Sequence, residues 1–148
     1  GAGGMCGGQA LDLAATGDGG SLDIAALEQL HALKTGALIR AAVRMGALCG
    51  RADDDALAAL DRYAAALGLA FQVRDDLLDV EGDSQVLGKT AGKDAEQDKA
   101  TFPALIGMEA SRARLAELAV EMEKALAPFG GRALALRRLG EMAIRRDR

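Results

Sequence analysis

Between Leu57 and Val80 the chain is largely apolar, and Leu57, Leu60, Leu67 and Phe71 recur at the spacing of an α-helix. The same stretch contains the run Phe71-Gln72-Val73-Arg74-Asp75-Asp76-Leu77-Leu78-Asp79. At roughly 100° per residue, Gln72, Asp75, Asp76 and Asp79 fall on one narrow face. Like charges at that spacing repel, so an isolated helix gains nothing from them. A cation turns that cost into a binding site. Mg²⁺ takes oxygen ligands, often one or two carboxylates, and completes its shell with water and substrate phosphates. A solvated acidic face is the plainer alternative. Leu67, Leu69, Phe71, Val73, Leu77, Leu78 and Val80 surround the acids, which favours a face that looks into a cavity.

The rest of the chain reads as further helices with short breaks. Residues 4–16 form a Gly-rich helix closed by Gly17-Asp18-Gly19-Gly20. Ser21 or Asp23 can cap a second helix that runs to about Gly50 through Leu27, Leu30, Leu33, Leu38 and Val43. Asp53-Asp54-Asp55 suit the start of a third, where acids complement the helix dipole. That helix is expected to end near Val80, which would leave the acidic motif at the unfavourable end of the dipole, a hint of bound metal. Residues 81–100 read as mostly loop. Two more helices follow at about 102–127 and 131–146, separated by Pro128 and Gly130-Gly131. With no period-2 pattern anywhere, the expected fold is all-α.

Polar residues downstream extend the acidic signal. Gly88-Lys89-Thr90, Lys93, Asp94, Asp98 and Lys99 follow the acidic helix. Lysines beside a carboxylate-bound metal suit a diphosphate, because metal and ammonium neutralise different oxygens of one anion. Gly82 to Thr90 imitates a P-loop but has five residues between its glycines instead of four. It also follows a helix rather than a strand, so nucleotide binding is rejected.

Four blocks then occur in order: Gly4-Met5-Cys6-Gly7-Gly8-Gln9-Ala10-Leu11-Asp12-Leu13, Leu33-Lys34-Thr35-Gly36, Phe71-Gln72-x-x-Asp75-Asp76-x-x-Asp79, and Gly88-Lys89 through Lys99-Ala100-Thr101-Phe102-Pro103. Together they resemble the C-terminal half of a trans-isoprenyl diphosphate synthase, of the bacterial farnesyl diphosphate synthase type. The likeness fades after about Gly107. It implies a helical bundle of the isoprenoid synthase type and an Mg²⁺-dependent prenyl transfer. In that chemistry isopentenyl diphosphate attacks the carbocation left when an allylic diphosphate, dimethylallyl or geranyl, ionises. The resemblance makes Asp75, Asp76 and Asp79 the metal-binding residues, with Asp75 the first candidate for direct ligation. It places Lys34, Lys89 and Lys99 near the allylic diphosphate, and Thr35 near the growing prenyl chain. Gln72 matches a residue at the same site. Gln9 and Asp12 are expected to act behind the residues that touch substrate, and Lys93 is left as a surface charge.

Residues outside these blocks attract plainer expectations. His31 is expected at a surface or interface, and Arg40 with Arg44 as a solvated i, i+4 pair. Cys6 and Cys49 have no metal-ligand spacing and are expected to be reduced and structural. Arg145, Arg146 and Arg148 make a basic tail, as such synthases often have, and closure over the second substrate is one role it could take.

The same resemblance shows what these residues lack. A first acidic motif, the arginine pair after it and an isopentenyl diphosphate site are absent, and Asp53-Asp54-Asp55 is no substitute. The 148 residues are therefore expected to form one part of a single synthase domain, with a missing N-terminal half as partner and apolar faces left uncovered. A non-catalytic subunit and a helical interaction fragment are the alternatives. Product length cannot be derived: farnesyl diphosphate is favoured, with geranyl and geranylgeranyl diphosphate as rivals. A net charge of −4 gives no reason to expect nucleic acid. No membrane span or signal peptide is read from the sequence, so the expected compartment is the cytoplasm; the resemblance implies a homodimer.

Overall fold

The computed structural model describes residues 3–17, 22–86 and 100–146, and every regular element among them is helical. The order is α1 (Met5–Gly17), α2 (Ile24–His31), a π-helical turn (Ala32–Gly36), α3 (Ala37–Cys49), α4 (Asp54–Val86), α5 (Phe102–Leu126), a 3₁₀ segment (Ala127–Ala133) and α6 (Leu134–Arg145). Side chains near the helix starts satisfy backbone donors that would otherwise lack partners. Asp23 accepts from the Ala26 N–H at 2.8 Å, and Asp53 from the Ala56 N–H at 2.8 Å. Thr101 does the same for Ala104 at 3.3 Å, with Pro103 in the first turn of α5.

Helix α4 is the axis of the core. Tyr63, Leu67, Ala70, Val73 and Leu77 recur on one side of it and pack against Phe102, Leu115, Leu118, Met122 and Leu126 of α5. Each large side chain removed from water there contributes about 1.5–3 kcal/mol. The Tyr63 hydroxyl is sealed in this core and donates to the Leu136 carbonyl at 2.7 Å, tying α4 to α6. Burial pushes that phenol up to about 12, so it remains a donor. Residues 54–82 are long and apolar enough to cross a membrane by length and composition alone, which the sequence reading had not anticipated. Half of an 18-residue apolar window within that stretch is buried against neighbouring helices, as the central helix of a bundle would be.

Two boundaries differ from expectation. Helix α4 does not stop near Val80 but continues to Val86. Asp79 therefore lies more than a turn from the end, beyond the reach of the terminal dipole. The supposed misplacement of the acids, and the hint of metal drawn from it, disappear. The long second helix is interrupted by the π turn, which apolar spacing does not reveal.

The turn between α3 and α4 contains a small conformational cost. The Arg51 N–H donates to Leu48 O and the Ala52 N–H to Ala47 O, both at 3.0 Å, which closes α3 in a Schellman motif. The left-handed position of that motif belongs to Arg51, at φ 56°, while Gly50 stands one residue too early. Arg51→Gly should relieve roughly 1–2 kcal/mol of steric cost, partly offset by the greater freedom of glycine in the unfolded chain. We expect a net gain of up to about 1 kcal/mol, read as a higher urea midpoint with an unchanged m value.

Candidate functional site

The π turn and α4 meet through backbone that only glycine allows. A Cβ on Gly68 would lie 2.8 Å from Gly36 Cα, and one on Gly8 would lie 2.5 Å from Lys34 Cα and 2.8 Å from Leu33 C. The segment Leu33-Lys34-Thr35-Gly36 is thus held between α1 and α4 at backbone distance. Consecutive side chains then reach different partners. Lys34 Nζ meets Asp12 Oδ2 of α1 at 2.6 Å, and Thr35 Oγ1 donates to Gln72 Oε1 of α4 at 2.7 Å. π turns occur often at functional sites, and this one brings two sequence blocks, 37 residues apart, into one polar cluster.

One turn beyond Gln72 the three aspartates occupy different surroundings. Asp75 is partly exposed and takes the Arg146 guanidinium on Oδ1. Asp79 is exposed. Asp76 is 7% exposed, and its Oδ2 accepts the Phe102 N–H at 2.9 Å, at the start of α5. Burial raises the Asp76 carboxyl to about 6; the Phe102 N–H opposes that rise, while Asp79 and Asp75 add to it.

Whether these groups suit Mg²⁺ depends on the donors. Among the described residues no three His, Cys, Asp or Glu side chains converge on one point to hold a metal alone. Mg²⁺ commonly binds through one or two carboxylates, with water and substrate phosphates completing six oxygens. Asp75 and Asp79, the more open pair on this face, fit that pattern. Lys89, Lys93 and Lys99 lie outside the described residues.

Three expectations need correction. His31 is buried, not at the surface: its ring stacks on Phe102 with centroids 5.9 Å apart, and neither nitrogen has a hydrogen-bond partner among the described residues. Burial first, then the Lys34 charge, lowers its pKa to about 4, against a raising pull from Asp12. Arg40 and Arg44 are exposed but not merely solvated. Both bind Asp61 of α4, Arg44 at 2.6 Å and Arg40 through two contacts of 3.3 Å. Cys6 and Cys49 are free thiols as expected, but both are exposed and neither fills the core.

Arg146, noted in the sequence only as part of a basic tail, is built into the site. Its guanidinium lies 3.8 Å over the Phe71 ring and donates to Phe71 O at 3.0 Å, while its own carbonyl accepts from Arg74 Nε at 3.0 Å. No periodicity signals this, because it joins residues more than 70 positions apart.

With this arrangement in place, comparison with known proteins is decisive. The family model for polyprenyl synthetases matches residues 2–127. The chain belongs to the polyprenyl synthetase family. Farnesyl diphosphate synthase of Escherichia coli is 49% identical over 149 residues, covering 98% of this chain and 49% of that enzyme. A structure of an FPP/GFPP synthase from Zymomonas mobilis superposes with a TM-score of 0.83 at 38% identity, over 97% of this chain and 46% of the other. A geranyltransferase from Helicobacter pylori, solved with magnesium and isoprenyl diphosphate, gives a TM-score of 0.72 at 30% identity, over 95% of this chain and 46% of the other. This polyprenyl synthetase chain thus spans about half the length of the relatives it matches. Its helical fold is that of the isoprenyl synthases. Met5, Leu11 and Leu13 on α1 and Leu38, Met45 and Leu48 on α3 expose apolar side chains, in line with the uncovered faces expected from the sequence.

Proposed function

We propose that this chain supplies the second aspartate-rich motif and the diphosphate-binding lysines of an Mg²⁺-dependent prenyltransferase. That enzyme joins isopentenyl diphosphate to dimethylallyl or geranyl diphosphate and forms farnesyl diphosphate. The observation that carries the proposal is the meeting of Lys34-Thr35 with the Gln72–Asp79 face across the Thr35–Gln72 hydrogen bond. An acidic helix hydrogen-bonded to the residue next to a lysine suits a diphosphate with its cation, and family membership supports prenyl transfer as the chemistry. Mg²⁺, when bound, supplies charge neutralisation for the departing diphosphate. Asp75 and Asp79 hold it, with Asp76 beside them. Lys34, oriented by Asp12, adds a second positive charge, joined by Lys89 and Lys99. Gln72 orients the Thr35 hydroxyl beside the growing prenyl chain. Apolar side chains around the acidic face, Leu78 and Leu69 among them, keep water from the reactive carbon.

In this proposal residues 1–148 are one part of a single isoprenoid synthase domain. The remainder carries the first acidic motif and the isopentenyl diphosphate site, in a cytoplasmic homodimer. A longer product is the second reading, favoured by the FPP/GFPP synthase among the structural neighbours. The test is prenyl transfer with Mg²⁺, isopentenyl diphosphate and geranyl diphosphate, read by mass, with and without an added N-terminal half. We expect no product from the chain alone and C15 diphosphate after the half is added. Asp75→Ala should lower that turnover by at least about 100-fold. An active reconstituted pair that is indifferent to Asp75→Ala would remove the proposed role of the motif.

A further inference from the structure

We infer that Arg146 is a positioning residue for Asp75, fixing one carboxylate oxygen so that the other is presented to a divalent cation. The inference rests on the metal-binding role proposed above for Asp75.

What distinguishes Arg146 from a chance surface ion pair is how little its placement depends on Asp75. The guanidinium is stacked on the Phe71 ring, donates to the Phe71 carbonyl and is 22% exposed. Its backbone carbonyl is held by Arg74, whose Nη1 binds Glu81 at 3.3 Å. Glu81 also takes Arg112 of α5 at 3.0 Å. The end of α6 is therefore anchored on α4 and α5 by contacts that do not involve the carboxylate. A planar guanidinium set in that way gives Asp75 a fixed donor.

The contact uses only Oδ1 of Asp75. A carboxylate offers about four lone-pair sites over its two oxygens, so capacity for a cation remains. Carboxylates that ligate metals are commonly hydrogen-bonded in turn, and loss of such an outer partner costs about 10–100-fold in metal affinity. A second consideration is the repulsion among Asp75, Asp76 and Asp79 on one face. Without a cation nearby, Asp75 would turn away from its neighbours toward water. Arg146 removes that freedom before any metal arrives.

Mn²⁺ binding provides the test, with inorganic diphosphate present and no prenyl substrate, followed by titration calorimetry. Arg146→Gln should weaken Mn²⁺ binding by about 10–100-fold, and Arg146→Lys should fall between it and the starting protein. Arg112→Gln breaks the outer link of the same network, so it should lower Tm slightly and leave Mn²⁺ affinity unchanged. Tighter binding by Arg146→Gln would make Arg146 a competitor of the cation and overturn the inference. Unchanged affinity in that variant would overturn it equally, provided that Asp75→Ala does weaken binding. If Asp75→Ala binds Mn²⁺ like the starting protein, the metal-binding role of Asp75 itself fails, and the inference falls with it.

Discussion

Gly68→Ala should destabilise the protein by about 1–3 kcal/mol and Gly82→Ala should stabilise it, although both replace glycine by the best helix former in the same helix. In a helix interior alanine is worth about 1 kcal/mol over glycine. Gly82 is exposed, and its added Cβ would meet nothing within 4 Å, so it should collect that gain. At Gly68 the new methyl would sit 2.8 Å from Gly36 Cα, where the obstacle is backbone and cannot rotate aside. Forcing a methyl into a closed contact costs about 1–3 kcal/mol, and more where backbone must move. The functional consequence should exceed the loss in stability. Relief of the clash moves Gly36 away from α4 and, with it, Thr35 away from Gln72. A displacement of roughly 1 Å at a substrate-positioning residue can cost about 100-fold in rate. Gly8→Ala, aimed at Lys34 Cα and Leu33 C, should act in the same direction from the α1 side. Urea denaturation of the two α4 variants side by side decides the matter. Equal gains for Gly68→Ala and Gly82→Ala would mean that α4 and the π turn separate without cost.

The glycine contacts also explain which parts of the molecule were legible in the sequence. Apolar spacing located α1, α5 and α6 closely, although it ran α2 and α3 into one helix and ended α4 six residues early, and Asp23 and Asp53 sit at helix starts. These are local properties, set by residues a turn apart. The π turn is not local. It coincides with the place where Gly8 and Gly68 let two other helices approach Lys34 and Gly36 to backbone distance, a fact about residues 26 and 32 positions away. The same limit hid the inequality of the aspartates. Periodicity treats Asp75 and Asp76 as neighbours on one face, yet the start of α5 closes over Asp76 while Asp75 is left to Arg146. His31 was misplaced because a lone histidine beside Lys34 carries no burial signal; the Phe102 ring that covers it arrives from 71 residues away.

Asp76 and His31 should largely cancel each other's effect on stability between about pH 4 and 6, and Asp76→Asn should expose the slope that Asp76 hides. The Asp76 carboxyl is raised from 3.8 to about 6 in the folded protein, so the fold favours its protonated form. That contribution is fully present below pH 3.8 and is lost as pH rises through 6. His31 is lowered from 6.5 to about 4, so the fold favours its neutral form. Its contribution is present above pH 6.5 and is lost as pH falls through 4. Shifts of this size correspond to roughly 3 kcal/mol each, and they run in opposite directions over the same window. Asparagine keeps an acceptor for the Phe102 N–H but has no charge to bury. At pH 7 Asp76→Asn should match or exceed the stability of the starting protein, because the cost of burying a carboxylate is gone. On acidification from pH 7 to about 4.5 the variant should lose ground by about 2 kcal/mol relative to the starting protein, since Asp76 no longer offsets His31. Taking the difference between the two proteins cancels the titration of every other carboxylate. Urea denaturation in chelator at about pH 4.5, 5.5 and 7 measures it. A difference that stays constant across that range would show that Asp76 ionises as freely in the fold as in the unfolded chain, and that its bond to Phe102 closes the start of α5 without excluding water from the carboxylate.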